Sequence, residues 1–137
     1  MIDDVTLNKA AILERCLRRI TEEYQGNPSR LLDFTYQDAI VLNLERACQA
    51  AIDLAMYIVA KDRLGVPQSS SHAFQLLADA RRIPSELPAR LRAMVGFRNI
   101  AIHGYQNLNL EILRHIVEYS KSDLINFCQV LGLKISP

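Results

Sequence analysis

A chain of 137 residues, half of them apolar, can bury one sizeable core, so the whole span 1–137 is read as one domain. Five Gly and five Pro, with the Pro outside the long periodic stretches, exclude a strand-and-turn protein and favour helices joined by short connections. Sixteen basic against fifteen acidic residues give a net charge of +1, which excludes a whole-molecule field that would draw in nucleic acid or an anionic membrane.

Leu7, Ala10, Leu13, Leu17, Ile20 and Tyr24 recur at three- and four-residue steps behind Asp3 and Asp4. Both acids suit a helix N-terminus as caps and by dipole, so a first helix is predicted, ending at Gln25-Gly26-Asn27-Pro28. Thr35 with Asp38 resembles a weak capping box and is expected to open the longest helix, striped by Ile40, Leu44, Cys48, Ala51, Ala55 and Ile58 and stopped by Gly65-Val66-Pro67. This helix also carries Ala50, Leu54, Tyr57 and Ala60 outside its main stripe. Cover on two sides means a central helix or one shared with a second subunit, and a homodimer is expected on that ground.

Ser69-Ser70-Ser71 caps a short helix with Phe74, Leu77 and Ala78. Ile83-Pro84 breaks it, and Ser85 is the expected next cap, with Pro88 tolerable in a first turn that needs no donor. The fourth helix is expected to end near Ile102, with Gly104 just beyond it. A last helix spans about Leu108 to Leu131, on Leu110, Leu113, Val117, Leu124, Cys128 and Leu131. The sum is an all-α fold, an antiparallel four-helix bundle with one additional short helix.

Cys16, Cys48 and Cys128 are odd in number, widely spaced and set in apolar patterns, so they read as core residues, with neither a disulfide framework nor a metal cluster suggested. The start Met1-Ile2-Asp3-Asp4 has no basic region with an apolar run behind it, and Glu45, Arg46 and Asp53 interrupt the longest apolar stretch. A soluble, cytoplasmic protein with no membrane partner is the expectation.

Chemistry concentrates in the segment from Arg98 to Tyr105. On a wheel of about 100° per residue, Arg98 falls within roughly 60° of Leu91, with Met94, Val95 and Ile102, so it points with the core stripe. A buried guanidinium costs several kcal/mol unless paired, which leaves two readings: an interior acid holds it, or it faces a cleft or subunit interface. His103 lies five residues on, about 140° around a regular helix. A helix ending at Ile102 would release His103 and Tyr105 toward the arginine; otherwise His103 is a cap or surface residue. Arg and His together suit phosphodiester chemistry, because an imidazole exchanges protons near neutral pH and a guanidinium stabilises charge on phosphate oxygens. Arg81, Arg82, Arg90, Arg92, Arg98 and Arg114, against Glu86 and Glu111, form either a phosphate-facing patch or a solvated face. Asp53 is a candidate supporting residue opposite the main stripe, in line with Arg46 and near Gln49 and Tyr57; His72 and His115 read as surface residues.

Arg98, four residues, His103, one residue and Tyr105 resemble the Arg-x4-His-x-Tyr signature of HepT-like HEPN toxins, and Asn99 matches the common Arg-Asn start. The segments Leu42 to Asp53 and Leu91 to Phe97, and the overall length, are similar too, so the resemblance covers nearly the whole chain. It implies a HEPN-like bundle and a metal-independent endoribonuclease, toxic when free. Arg98 and His103 would be the catalytic pair at a homodimer cleft, with Asn99 supporting. The partner would be an MntA-like nucleotidyltransferase antitoxin that attaches AMP to Tyr105, in a complex larger than the dimer. RNA would be the substrate; cleavage would need no cofactor, and ATP and Mg would serve the antitoxin's reaction. Two other readings stand beside it: a non-catalytic helical module partnering a nucleotidyltransferase, and a purely structural dimerisation bundle.

Overall fold

The structure, a computed structural model, describes residues 2–103 and 108–137, and of residues 100–103 the backbone alone. Among the described residues six α-helices follow one another: α1 Asp4–Tyr24, α2 Phe34–Lys61, α3 Ser70–Asp79, α4 Leu87–His103, α5 Leu110–His115 and α6 Lys121–Val130. Among the described residues there is no strand. A five-residue π turn, Ile116–Ser120, joins α5 to α6, so the predicted last helix is one rod with a wide turn inserted. α1, α2, α4 and this rod make the four-helix bundle, and α3 is the additional short helix.

Asp3 starts α1 as the sequence leads one to expect: its carboxylate accepts from the Thr6 N–H at 3.0 Å, while the Thr6 hydroxyl accepts from the Asp3 N–H at 3.1 Å. The helix ends on Gln25 in the left-handed region at φ 50°. Pro28–Leu32 then forms a 3-10 turn, which the sequence reading of Pro28 as a simple terminator did not foresee. That turn corrects the expected start of α2. Asp33, in extended backbone, accepts from the Thr35 N–H at 2.9 Å and is the cap, so Thr35 lies inside the first turn instead of opening it. Ser69 caps α3 as predicted, accepting from the His72 N–H at 3.1 Å, and Asn109 caps α5.

Side-chain contacts fix the helix directions. Tyr57 and Lys61 near the end of α2 donate to Asp3 at 2.6 and 2.7 Å, so α1 and α2 are antiparallel. Tyr24 donates to Glu118 of the π turn, and Lys121 to Thr21 at 2.9 Å, so the last rod runs antiparallel to α1. The tail after α6 folds back: Leu133 and Ile135 are buried, and the Ser136 N–H donates to Glu14 at 2.6 Å.

Helix α2 occupies the centre, packed on α1, α3, α4 and α6. Ala50 and Leu54, which lie off its main stripe, are buried by neighbours within the same chain. For these two residues central placement supplies the cover, while Tyr57 is half-buried and Ala60 exposed. Phe74 of α3 meets Phe127 of α6 edge-on, ring centroids 5.5 Å apart, and ties the short helix to the core. Cys16, Cys48 and Cys128 are free and buried, as expected. Among the described residues no helix is long and apolar enough to cross a membrane.

The bonds from Lys61, Tyr57 and the Thr6 N–H hold the Asp3 carboxyl well below its ordinary value of 3.8. A carboxylate held down in the folded state adds stability in full above its unfolded value, and that stability is lost as pH falls toward the lower folded value. Asp3→Asn should therefore lower the melting temperature at neutral pH. The gap from wild type should close as melts are taken below pH 3.8, where wild-type Asp3 itself takes up a proton on unfolding.

Candidate active site at the seam of α2 and α4

Pro84 ends the segment behind α3, and Pro88 sits in the first turn of α4, where its missing N–H costs nothing. Leu91, Met94 and Val95 then bury the inner face of α4. Arg98 follows one turn beyond Met94 on that face and is half-buried. The helix continues one residue beyond the expected end at Ile102 and includes His103 in its backbone. The side chain of His103, and Gly104 and Tyr105 entirely, lie outside the described residues. The expected approach of imidazole and phenol to the guanidinium falls there as well.

Arg98 makes two side-chain polar contacts among the described residues. Its Nη1 donates to Oε1 of Gln49, on α2, at 2.9 Å. Its Nη2 reaches Oδ1 of the exposed Asn99 at 3.4 Å, the long limit of such a bond. Its Nε is buried and meets no acceptor among the described residues. Of the two placements the sequence left open, the interior acid is not the one adopted: among the described residues, no ion pair holds Arg98.

Asp53 stands one turn along α2 from Gln49, at the i,i+4 spacing that puts two side chains side by side. Its Oδ1 accepts from Nε2 of Gln49 at 2.8 Å, and its Oδ2 pairs with Lys9 of α1 at 3.3 Å. Asp53 is therefore linked to Arg98 through one amide. Tyr57, expected in the same group, turns instead to Asp3, and Arg46 is exposed to solvent. The sequence placed Gln49 near Asp53, but Lys9, 44 residues away, carried no signal of its own.

Three other arginines of the basic stretch pair with carboxylates of the bundle. Arg82 pairs with Asp62 at 2.8 Å, Arg90 with Asp123 at 3.3 Å and Arg114 with Glu118 at 3.1 Å. For these three the solvated-face reading holds, which sharpens the contrast with Arg98. His72 accepts from the Gln68 N–H at 2.9 Å beside the α3 cap, and exposed His115 lies against the Tyr119 ring, so neither of these contacts involves Arg98. Among the described residues no group of His, Cys, Asp and Glu is arranged to hold a metal ion.

Fold and site together define a HEPN-type helical bundle with an uncompensated arginine on its inner seam. Residues 13–131 match the family described as Ribonuclease HepT-like. The mRNA nuclease HepT of Shewanella oneidensis is 43% identical over 130 residues, an alignment covering 95% of this chain and 98% of the relative. A solved toxin–antitoxin structure with AMP-PNP superimposes with a TM-score of 0.90 at 44% identity, covering 95% of this chain and 98% of its own. A structure of the tri-AMPylated Shewanella oneidensis HEPN toxin in complex with MNT antitoxin matches with the same score and identity, over 96% and 98% of the two chains. The chain belongs to the HepT-like ribonuclease family of HEPN toxins, as its Arg-x4-His-x-Tyr segment suggested.

Cys48, one residue before Gln49 on α2, directs its thiol at the Met94 carbonyl, 3.6 Å away. Burial pushes that thiol up to about 12, against the opposing pull of the Arg98 charge. A thiol so protonated is a poor nucleophile. Iodoacetamide at about pH 8 should leave Cys48 unlabelled in the folded protein and label it fully in denaturant, as read by peptide mass.

Proposed function

We propose that this chain is a metal-independent endoribonuclease toxin of a toxin–antitoxin pair, a single HEPN unit over 1–137 that cuts RNA with Arg98 and His103 and is silenced by AMP on Tyr105. The observation that carries the reading is the state of Arg98. A guanidinium set half inside the bundle, anchored by a neutral amide and paired with no carboxylate among the described residues, keeps its full charge for an anionic ligand. Arg82, Arg90 and Arg114 of the same stretch each meet a carboxylate, whereas half-buried Arg98 meets only amide oxygens among the described residues.

In the proposed reaction a ribose 2′ oxygen attacks the adjacent phosphorus and the bond to the 5′ oxygen breaks. His103 either takes the 2′-OH proton or gives one to the leaving 5′ oxygen, with water exchanging the other proton, and Arg98 stabilises negative charge on the non-bridging oxygens. Asn99 and Asp53 support the arginine, the first beside it and the second through Gln49. Messenger RNA is the substrate class suggested by the 43% identical relative.

The catalytic cleft is proposed to lie where two subunits meet. Support for a subunit contact comes from Gly96: an interior helix glycine costs about 1 kcal/mol relative to alanine, and here, beyond its chain neighbours and its own helix backbone, no atom of the described residues comes within 4 Å of where a Cβ would stand. Beside it, Met94, Phe97, Ile112 and Ile116 line an apolar groove of about 400 Å3 between α4 and the last rod. The partner is an MntA-like nucleotidyltransferase, in keeping with the antitoxin complexes of the similar structures. ATP, with Mg, serves that partner's transfer of AMP; the adduct would set a bulky anion beside the catalytic pair and block RNA by charge and volume.

Incubation of purified protein with total RNA in EDTA tests the nuclease. Cleavage is expected, falling by roughly a hundredfold or more in Arg98→Ala and in His103→Ala; intact RNA from the wild type, or undiminished cutting by both variants, overturns it. Co-expression with the antitoxin should add whole AMP units to the peptide containing Tyr105 and abolish cleavage, and Tyr105→Phe should remain unmodified and active. An unchanged intact mass after co-expression removes the regulatory half of the proposal.

A further inference from the structure

An arginine that must meet phosphate has to be held still without being neutralised. In this chain the group that could do both is an amide. Gln49 accepts from Arg98 through Oε1 and donates to Asp53 through Nε2. The guanidinium can only donate, and the carboxylate can only accept, so only one orientation of the Gln49 amide satisfies both neighbours. Lys9 holds the far oxygen of Asp53, so that the carboxylate is anchored from α1 while its near oxygen faces the amide.

We infer that Gln49 is the positioning residue of the arginine, presenting a neutral acceptor that fixes Arg98 as a full charge, with Asp53 and Lys9 locking the amide the right way round. The inference rests on the nuclease reading above and adds to it a chain of contacts spanning α4, α2 and α1. Gln49 does not touch the reacting phosphate in this scheme; it acts through Arg98.

The neutrality of the acceptor is the point that separates positioning from packing. Gln49→Glu keeps the size and reach of the side chain but sets a carboxylate against the guanidinium, which cancels the charge meant for the phosphate. Gln49→Ala leaves Arg98 its charge but removes its anchor. Asp53→Asn keeps volume but lets the Gln49 amide turn its NH2 toward Arg98, where donor would face donor. Each change weakens an interaction made with the transition state, so kcat should fall while KM moves little.

The experiment measures kcat and KM for an RNA oligonucleotide in wild type, Arg98→Ala, Gln49→Glu, Gln49→Ala, Asp53→Asn and the Gln49→Ala/Asp53→Asn double variant, each assayed below its own melting temperature. The expected result is a fall in kcat of roughly tenfold to a hundredfold in each single variant at positions 49 and 53, with KM within about threefold of wild type. The double variant should be no worse than Gln49→Ala alone, because Asp53 acts only through the amide. Wild-type kcat in both Gln49 variants, with Arg98→Ala inactive, overturns this inference and leaves the nuclease reading standing. Additive losses in the double variant overturn the link through Asp53. Full activity in Arg98→Ala overturns both readings together.

Discussion

A guanidinium at the inner seam of a helical bundle needs acceptors to hold it, and a carboxylate in that role would cancel its charge; at Arg98 an amide takes Nη1, while the buried Nε meets no acceptor among the described residues. Much in this fold bears on how that conflict is settled at Arg98. Helix α2 must be central, because only then can Gln49 reach α4 on one side while Asp53 reaches Lys9 of α1 on the other. Centrality in turn demands a helix apolar around most of its circumference, and the buried Ala50 and Leu54 off the main stripe supply it. The polar line through Lys9, Asp53, Gln49 and Arg98 runs where that apolar cover gives out.

The same bundle disposes of its other charges differently. Arg82, Arg90 and Arg114 are each answered by a carboxylate from a neighbouring turn or helix, and the N-terminus of α1 gathers Tyr57 and Lys61 around Asp3. These contacts bind elements together: α2 to the start of α1, the loop after α3 to the end of α2, and α4 to α6. Half-buried Arg98 makes no such ion pair among the described residues and is held by an amide instead. Membership of the HepT-like ribonuclease family gives that exception a chemical meaning, since phosphodiester cleavage builds negative charge that a free guanidinium can stabilise.

Within the site, legibility was uneven. The helical phase that set Arg98 with Leu91 and Met94 was readable because a 3.6-residue period needs only local counting, and the i,i+4 spacing put Gln49 beside Asp53 for the same reason. Tyr57 misled the same counting, for although it shares a face with Asp53, its hydroxyl is captured by Asp3, 54 residues away in sequence. The start of α2 shows a similar limit. Thr35 and Asp38 fit a capping pattern, but the 3-10 turn at Pro28–Leu32 delivers Asp33 to the cap first, and the pattern alone could not weigh one nearby acceptor against another.

By itself, then, the amino-acid order determined the helical segments and their rough bounds, the buried stripe of each, the core placement of Cys16, Cys48 and Cys128, and the family signature running from Arg98 to Tyr105, since all of these are properties of neighbours along one chain. Tertiary structure alone decided that α2 lies at the centre, that Lys9 of α1 closes on Asp53, and that an amide rather than an acid meets Arg98. Those outcomes depend on which helix faces which and at what height. Packing of whole surfaces fixes both, and no spacing within a single segment encodes them.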